Sequence, residues 1–373
     1  MPSRTRALAC LLVILAAPAC GGDDRGPRPA PPGPRLTASV ARELDRRLRE
    51  SVADAGIPGA SAAIVFRDGR VWRGAAGDAV VKPKRAMTPD TSLPFDSITK
   101  VATAALAMRL AEQGRLRLDD PIARWYPSWR GDPRATIRDL LGHTAGTRDP
   151  EGAIDPDIPL SQKRALAAAP KPGPRTESAD YSNVGYVIAG HILERAADEP
   201  LAMAMRQEVF AHPGGDGLAF QPAEHPAPPR AHSYWYPNGG GTPVDASDGG
   251  PVLPYRSLAA TFAAAGSLAG DVPSLARWGH ELFEGRVLSP ASLREMARFH
   301  PGGLWEGYGL GLARDSFEDR TMWGHGGDGL GSHTEFWHLP RERLTLAVTW
   351  NDDLLEREGG LHLTLLRAAL GTG

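Results

Sequence analysis

The sequence predicts an α/β fold in which an antiparallel sheet is flanked by helices and interrupted by a helical insertion. Strand patterns occur near both ends of the chain, at 61–66 and 71–75 and again at 334–338 and 344–350. Residues 122–210, which lie between them, have a mainly helical pattern. Strands at both ends around a helical middle indicate one sheet with a helical insertion.

The first elements of the ordered chain are predicted to be a helix and a hairpin. Apolar residues recur every four positions from Val40 to Val52, which predicts a helix that stops before the Gly-Ile-Pro-Gly segment at 56–59. The Asp-Gly pair at 68–69 separates the first two strand patterns. Because this pair is a strong turn signal, we expect the two strands to form an antiparallel hairpin.

Further elements follow in the middle and at the end of the chain. Residues 101–113 are rich in Ala and Leu and contain no Gly or Pro, which predicts a helix with Ser97 at its start. Other helices are expected over 185–197 and 361–370. Residues 212–255 are crowded with Gly and Pro, so we expect long loops there, which usually shape a site.

Composition narrows the class of protein and its partners. The chain has 373 residues, of which 42% are hydrophobic and 23% are charged, a globular balance that excludes a disordered or fibrous class. The formal net charge is -2, and no long run of Lys or Arg occurs, so we expect no nucleic-acid partner. No internal repeat is visible, which leaves one compact catalytic unit.

The N-terminus is predicted to be an export signal over residues 1–19. Two arginines precede an apolar run, 7–17, that is too short to span a membrane. The Ala-Pro-Ala segment at 17–19 is a small-x-small cleavage site before Cys20 and loosely resembles a lipobox. We therefore expect an exported protein of the cell envelope or periplasm.

Cys20 is expected to carry a lipid that anchors the protein to the membrane. The only other cysteine, Cys10, lies inside the signal, so the mature chain has no partner for a disulfide. Ordinary secretion with an incidental thiol is the alternative. Residues 20–35 are dominated by Gly and Pro and are predicted to be a tether, which leaves 36–373 as the catalytic domain.

The first chemical motif is Ser97-Ile98-Thr99-Lys100, at the start of the second predicted helix. One turn apart on the same face, the hydroxyl and the amine lie within hydrogen-bond reach. The lysine can take the serine proton only if burial or nearby positive charge lowers its pKa, and the helix N-terminus adds amide donors for an oxyanion. By itself, such a pair is commonly only the solvated face of a helix.

Two further motifs follow later in the chain. In the Tyr-Ser-Asn motif at 181–183, the phenol can relay a proton to a leaving group and the amide can hold a substrate carbonyl. A helix-capping Asn beside a packed Tyr is the alternative. In the His-Gly-Gly motif at 325–327, glycines let a substrate backbone lie against a strand edge. Here the alternative is a plain glycine turn.

In this order, the three motifs resemble the Ser-x-x-Lys, Tyr-x-Asn and Lys/His-x-Gly signatures of the β-lactamase-related penicillin-binding family. This family includes class C β-lactamases, D-alanyl-D-alanine carboxypeptidases and related esterases. The resemblance extends from Leu36 to about Asn351 and implies a β-lactamase/transpeptidase-like fold. Similar flanking segments are 87–91, 114–121, 140–146, 307–311 and 323–324.

The resemblance also implies a role for each motif residue. Ser97 would be acylated, and Lys100 and Tyr181 would share its proton. The backbone N–H groups of Ser97 and Asp328 would form the oxyanion hole. The residues implied to bind substrate are Asn183, which would contact the substrate amide, and His325, Gly327 and Asp328.

Two positions depart from the family pattern. His325 stands where class C β-lactamases have Lys, and Gly326 stands where many relatives have a hydroxyl residue that helps hold a substrate carboxylate. Both departures disfavour β-lactam hydrolysis, although an imidazole can still polarise the Tyr181 hydroxyl. We expect a serine hydrolase of small esters, amides or cell-wall peptides, like a D-alanyl-D-alanine carboxypeptidase or an esterase. The alternatives are a β-lactamase and a non-catalytic protein that binds peptidoglycan or β-lactams.

No metal or other cofactor is expected. The His-Glu pair at 280–281 lacks the second His of a zinc-protease pattern, and the histidines within 325–338 match no common zinc spacing. A Gly-x-Ser-x-Gly elbow is absent from the sequence, which argues against an α/β-hydrolase. His143 lies in an apolar segment and is expected to satisfy a core hydrogen bond rather than touch substrate.

Overall fold

The computed structural model of the chain describes residues 33–150, 161–237, 239–354 and 360–372. The helices of this part are α1 (Ala38–Ala55), α2 (Thr99–Glu112), α3 (Ile122–Trp125), α4 (Ile137–Leu141), α5 (Gln162–Ala168), α6 (Asn183–Ala197), α7 (Leu201–Glu208), α8 (Arg256–Phe262), α9 (Val272–Phe283), α10 (Pro290–Met296) and α11 (Leu361–Leu370). The strands are β1 (Gly59–Val65), β2 (Val71–Val80), β3 (Arg85–Ala86), β4 (Leu93–Asp96), β5 (Leu218–Phe220), β6 (Tyr234–Trp235), β7 (Val244–Asp245), β8 (Leu268–Gly270), β9 (Gly307–Tyr308), β10 (Ala313–Phe317), β11 (Arg320–Gly329), β12 (Ser332–Leu339) and β13 (Leu344–Trp350).

The main sheet has the strand order β3-β2-β1-β13-β12-β11-β10-β9, and its paired neighbours run antiparallel. The predicted hairpin joins β1 to β2, and Gly69 in its turn has a φ of 80°. From the far end of the chain, β13 pairs with β1, so that Ala63 lies opposite Ala347. The predicted antiparallel sheet, built from both ends of the chain around a helical middle, is confirmed.

Helices cover both faces of this sheet. Alternate residues of β1 enter different cores, because successive side chains of a strand point to opposite faces. Ala62 and Ile64 pack in the core that includes α1 and α11, whereas Ala63 and Val65 belong to the larger core that includes α2 and α9. Helix α2 is buried continuously over its first ten residues, as its Ala-rich sequence allows, and it carries Lys100 into the interior.

Two regions differ from the sequence-based expectation. The His-Gly-Gly motif lies inside a strand, β11, that was not predicted, because its glycines hide the alternating pattern that marks a strand. The predicted loop region 212–255 contains the short strands β5, β6 and β7. Strand β5 joins β8 and β4 in a second sheet of order β4-β8-β5. Strands of two or three residues are too short to show a periodic pattern.

The N-terminal predictions lie outside the described residues. These are the signal at 1–19, the lipid on Cys20 and nearly all of the tether at 20–35, and they stay predictions. Among the described residues, no helix combines the length and the apolar character that crossing a membrane requires.

Candidate active site

Ser97 lies in a tight turn between β4 and α2. Asp96, the last residue of β4, has a φ of 48°, a strained conformation that its surroundings must hold. Its carboxylate accepts a hydrogen bond of 2.9 Å from the Ser332 hydroxyl, and burial raises its pKa to about 7. The Ile98 amide closes the turn by donating to the Phe95 carbonyl at 3.1 Å. These contacts fix the nucleophile candidate at the N-terminus of α2.

Lys100 is fully buried and reaches the Ser97 hydroxyl, as the motif predicts. Its Nζ donates to Ser97 Oγ at 2.9 Å, to Asn183 Oδ1 at 2.8 Å and to the Ala265 carbonyl at 2.8 Å. Burial lowers the pKa of Lys100 to about 7, against the opposing charge of Asp149. A substantial fraction of this amine is therefore neutral near pH 7 and able to accept a proton.

Tyr181 approaches the same oxygen from another side. Its hydroxyl donates to Ser97 Oγ at 2.9 Å, and Lys100 Nζ lies 4.8 Å from the centre of its ring. Burial raises the pKa of the Tyr181 phenol well above its usual value, although its hydrogen bond to Ser97 opposes this shift. Because the phenol stays protonated near neutral pH while part of Lys100 is neutral, Lys100 is the proton acceptor of the two, and Tyr181 holds a proton that it can relay as it takes one from another group.

Asn183, the first residue of α6, is tied to a carboxylate that the sequence motifs do not include. Its backbone amide and its side-chain Nδ2 both donate to Asp149 Oδ2, at 3.0 and 2.9 Å. Asp149 also accepts hydrogen bonds from the Ser182 hydroxyl and the Val184 amide. Sequence reasoning missed Asp149, because no fixed spacing relates it to the Tyr-Ser-Asn motif, and only the folded chain brings it there.

His325 is buried near the Tyr181 ring, but it does not contact the Tyr181 hydroxyl. Its Nδ1 donates to the Gly326 carbonyl, and its Nε2 accepts a hydrogen bond of 2.9 Å from the Tyr308 hydroxyl. Burial and the charge of Lys100 lower the pKa of His325 to about 3, so it is neutral. The expected polarisation of Tyr181 by this imidazole is therefore wrong, since both ring nitrogens are engaged elsewhere.

Gly326 and Gly327 have different surroundings. A Cβ at Gly327 would lie 2.4 Å from the Phe95 carbonyl oxygen, so only glycine lets β11 pass this close to β4. A Cβ at Gly326 would meet nothing nearer than Trp305, at 3.7 Å. Packing therefore explains the glycine at 327 and leaves space for a side chain at 326.

The edge of β11 beyond Gly324 faces the nucleophile. Strand β10 pairs with β11 only as far as the Ala313–Gly324 pair, which leaves the following residues without β10 as a neighbour. Asp328 and Gly329 line a cavity together with Ser97 and Asn183. The cavity encloses about 480 Å³, including the part open to solvent, and the rest of its lining is mainly apolar.

The charged side chains along the β11 edge of this cavity are mostly acidic. The Asp328 side chain is 64% exposed, and its carboxylate is paired with His333 Nδ1 at 2.5 Å. His333 Nε2 lies 3.0 Å from a Glu335 oxygen. Although burial opposes its charge, the hydrogen bonds to these two carboxylates raise the pKa of His333 to about 10. One cation between two carboxylates leaves this edge of the cleft with net negative charge.

His143 makes the predicted core hydrogen bond and also supports the site. Its Nδ1 accepts from the Ser182 amide at 3.2 Å, which confirms that prediction. Its ring centre lies 4.4 Å from that of Tyr181 and 4.6 Å from that of Tyr308. Burial lowers its pKa well below the usual value, so a neutral imidazole holds the Tyr181 ring in place.

In residues 33–150, 161–237, 239–354 and 360–372, no three or more His, Cys, Asp or Glu side chains are arranged to hold a metal ion.

Comparison with known proteins assigns the chain to a family. The family model described as Beta-lactamase matches residues 44–370. This chain belongs to the beta-lactamase family. The predicted family and the β-lactamase/transpeptidase-like fold are thus confirmed, and the hydrolases among its relatives support an enzyme.

The relatives include proteins named for ester and amide hydrolysis. The chain is 32% identical over 235 residues to esterase EstB of Burkholderia gladioli, covering 57% of this chain and 58% of that protein. It is 26% identical over 328 residues to D-aminopeptidase of Brucella ovis, covering 84% of this chain and 60% of that protein. The matches thus span about three-fifths of the length of these relatives.

A solved structure supports the same fold. D-amino acid amidase from Ochrobactrum anthropi SV3, complexed with L-phenylalanine amide, superposes with a TM-score of 0.80 at 22% identity. The superposition covers 90% of this chain and 99% of the amidase. At this identity the likeness shows the fold alone.

Proposed function

We propose that this chain is a serine hydrolase that cleaves small esters or amides through an acyl-enzyme on Ser97. The observation that carries the proposal is the position of the Ser97 oxygen, which lies 2.9 Å from both Lys100 Nζ and the Tyr181 hydroxyl. A nucleophile of this kind needs a neighbouring base and a proton donor for the leaving group. Both are present: the lowered pKa of Lys100 favours its role as base, and Tyr181 is protonated and placed to relay a proton.

The proposed reaction has two stages. Neutral Lys100 accepts the Ser97 proton while Ser97 Oγ attacks the substrate carbonyl, and the backbone N–H groups of Ser97 and Asp328 stabilise the oxyanion. The Tyr181 hydroxyl then passes a proton to the departing alcohol or amine as it takes one from the Lys100 ammonium, which leaves an ester on Ser97 and a neutral Lys100. In the second stage a water molecule gives one proton to Lys100 and attacks this ester, and a proton relayed through Tyr181 returns to Ser97 Oγ as the acid is released and Lys100 becomes neutral again. The remaining Asn183 Nδ2 hydrogen can donate to the substrate carbonyl.

Charge near the cavity favours substrates without a carboxylate. Asp96 and Asp328 line it, and no Lys, Arg or His is among its described lining residues. A Cβ at Gly326 would lie 3.9 Å from the Glu335 carboxylate, at the place where relatives hold a substrate carboxylate. Repulsion between like charges therefore disfavours anionic substrates and favours neutral or amine-bearing ones. The names esterase and D-aminopeptidase among the relatives agree with this preference.

A D-alanyl-D-alanine carboxypeptidase-like peptidase is the second candidate. The edge of β11 beyond Gly324 has no pairing with β10, so an extended peptide can align along it by main-chain hydrogen bonds. The terminal carboxylate of such a peptide would meet the acidic groups described above. For that reason we rank carboxypeptidase activity below the hydrolysis of small esters and amides.

Matched substrates test the proposal and separate the candidates. We would assay p-nitrophenyl butyrate, its anionic analogue mono-p-nitrophenyl succinate and D-alanine p-nitroanilide, with fluorescent penicillin and nitrocefin, in the wild-type chain and Ser97→Ala. We expect turnover of the neutral ester and slower turnover of the succinate, all lost in Ser97→Ala. Retained turnover in Ser97→Ala would overturn the assignment. Stable penicillin labelling would favour the carboxypeptidase, and rapid nitrocefin hydrolysis a β-lactamase.

The place of action is also a proposal. We propose that the protein is exported and attached to the cell envelope through a lipid on Cys20, as the first 20 residues predict. Metabolic labelling with a palmitate analogue, in wild-type chain and in Cys20→Ser, would test it. Equal labelling of the two chains would contradict lipid attachment at this residue.

A further inference from the structure

The geometry points to Asp149 as a positioning residue that sets the orientation of the Asn183 amide and, through it, holds Lys100 against Ser97. This inference rests on the proposed function of Ser97 and Lys100. Asp149 lies in the segment that follows α4, and its carboxylate reaches the N-terminus of α6. It acts on the reaction through Asn183 and not by touching substrate.

The Asp149 carboxylate binds three consecutive residues at the start of α6. Oδ1 accepts from the Ser182 hydroxyl and from the Val184 amide, both at 2.9 Å. Oδ2 accepts from the Asn183 amide at 3.0 Å and from Asn183 Nδ2 at 2.9 Å. The first amides of a helix have no carbonyl partner within it, and a carboxylate is well suited to accept from them. Asp149 therefore caps α6 and contacts one side chain of the site.

These contacts determine which way the Asn183 amide faces. An ionised carboxylate can only accept hydrogen bonds, so the NH₂ group of Asn183 must point toward Asp149. A lysine ammonium can only donate, so the Asn183 carbonyl must point toward Lys100, where the distance is 2.8 Å. The two partners require the same orientation. Asp149 thus keeps an acceptor in front of Lys100 Nζ, which in turn lies 2.9 Å from Ser97 Oγ.

Asp149 also contributes to the electrostatic balance at Lys100. Burial lowers the pKa of Lys100, and the negative charge of Asp149 is the largest influence that opposes this shift. Other titratable groups face the same amine from β4, the 143–149 segment, α6, β11 and the turn before α6. They are Asp96, His143, Tyr186, His325 and Tyr181. The two histidines are held neutral by burial, so the carboxylates provide the compensating charge.

The isosteric change Asp149→Asn separates this role from simple packing. In this variant an amide NH₂ replaces one carboxylate oxygen. If it faces Asn183, donors meet, and the Asn183 side chain relieves its part of the conflict by turning its carbonyl away from Lys100. If it faces the other way, the Val184 amide loses its acceptor at the start of α6. The change also removes the negative charge that raises the pKa of Lys100. Both effects make the Lys100 ammonium less stable and leave its side chain less well placed.

The experiment is a pH profile of kcat/KM for p-nitrophenyl butyrate, from pH 5 to 9, in the wild-type chain and Asp149→Asn. In Asp149→Asn, the displacement of Lys100 from Ser97 should lower kcat/KM at pH 8 by roughly 100-fold. Because Lys100 must be neutral to accept the Ser97 proton, a lower pKa moves the ascending limb of the profile to lower pH. If Asp149 had a purely structural role, the substitution would lower the rate and leave the ascending limb of the pH profile at its wild-type position.

Asp271→Asn is the matched control. Asp271 caps α9 by accepting from the Ser274 amide and hydroxyl, both at 2.9 Å, but it lies outside the site. The Asp271→Asn variant should keep the wild-type rate and pH profile. If Asp149→Asn behaves like this control, or loses rate without moving the limb, the inference is overturned. Loss of folding by circular dichroism in Asp149→Asn would move the test to Asp149→Ala with added formate.

Formate can supply the missing carboxylate at Asp149, which is only partly buried. We expect it to restore part of the activity of Asp149→Ala. No rescue in a folded Asp149→Ala, or loss of folding in both variants, would overturn the inference. A separate control distinguishes failure of this inference from failure of the proposed function. If the wild-type chain hydrolyses none of the test esters and Ser97 is not labelled by a fluorophosphonate, the proposed function is wrong.

Discussion

The two walls of the Ser97 cleft are built in different ways. The helical wall, from α2 and the start of α6, is a closed network in which Lys100, Tyr181 and Asn183 each have hydrogen-bond partners at 2.8–3.0 Å. The opposite wall, the end of β11, is rich in glycine, ends its pairing with β10 at Gly324 and presents the exposed Asp328. In the proposed reaction the helical wall supplies the groups that move protons, and the β11 wall leaves space and charge beside the substrate.

This difference separates the motif residues that resemble the family pattern from the positions that depart from it. In the proposed reaction the helical wall activates Ser97 toward the acyl group of whichever substrate is bound. The β11 wall carries both departures from the family pattern, His325 and Gly326. We therefore expect changes in the helical wall to alter the rate for every substrate, and changes in the β11 wall to alter the choice of substrate or the stability.

The largest effect is expected in the helical wall, for Lys100→Met. Methionine fills the buried space without a group that can accept the Ser97 proton, so kcat should fall by roughly 1,000-fold. Turnover of p-nitrophenyl butyrate and of D-alanine p-nitroanilide should fall together. The exposed Lys163 of α5 provides the control Lys163→Met, which should retain activity. A Lys100→Met chain with near wild-type kcat would remove Lys100 from its assigned role.

The pH dependence should report the same amine. Since Lys100 has a lowered pKa of about 7 and acts in its neutral form, kcat/KM should be low at acidic pH and rise through pH 7. Below that pKa the rate should fall about tenfold for each pH unit. Initial rates from pH 5 to 9, corrected for spontaneous ester hydrolysis, would measure this pH dependence. A profile that falls as pH rises through 7 has the opposite sign and would contradict a neutral lysine base.

Asp328→Asn should change substrate choice more than rate. The variant keeps the backbone N–H assigned to the oxyanion and removes a negative charge from the cavity. A charge interaction of about 1 kcal/mol corresponds to a roughly fivefold gain for mono-p-nitrophenyl succinate relative to the butyrate. Asp68→Asn, in the β1–β2 turn, is a control that should leave the ratio unchanged. An unchanged ratio in Asp328→Asn would mean that this carboxylate does not select substrates.

The neighbouring glycines of β11 provide the smallest and most local contrast. Gly327→Ala would place a methyl group 2.4 Å from the Phe95 carbonyl oxygen, and the forced shift should lower the free energy of unfolding by about 1–3 kcal/mol. Gly326→Ala would meet nothing nearer than 3.7 Å and should be nearly neutral. Urea unfolding of the two variants would measure the difference. Equal destabilisation would show that β11 does not pack on β4 as described.

The sequence predicted the parts of this molecule that have strong local patterns. The α1 periodicity, the turn at Gly69 and the Ala-rich α2 each depend on neighbouring residues, and the structure confirms them. The order of the three motifs then identified the family. Local patterns could not identify β11 as a strand, because glycine lacks the side chains that mark one. The family resemblance led us to expect that His325 polarises the Tyr181 hydroxyl, whereas His325 Nε2 is bound by the Tyr308 hydroxyl, from a different strand.

Asp149 shows the limit of motif reasoning most clearly. It lies 34 positions from Asn183 along the chain, and neither composition nor periodicity relates the two. Only the packing of the segment after α4 against the start of α6 brings its carboxylate to the amide. A residue that works through another residue has no chemical signature of its own in the sequence.

The central claim is that Ser97 becomes acylated during turnover. The most direct measurement is mass spectrometry of the chain, quenched in acid during hydrolysis of p-nitrophenyl butyrate and then digested into peptides. We predict a butyryl group on the peptide that contains Ser97, located on that serine by fragmentation and absent from Ser97→Ala. Two results would contradict the account: turnover without any acyl group on Ser97, or an acyl group found on a different peptide during turnover.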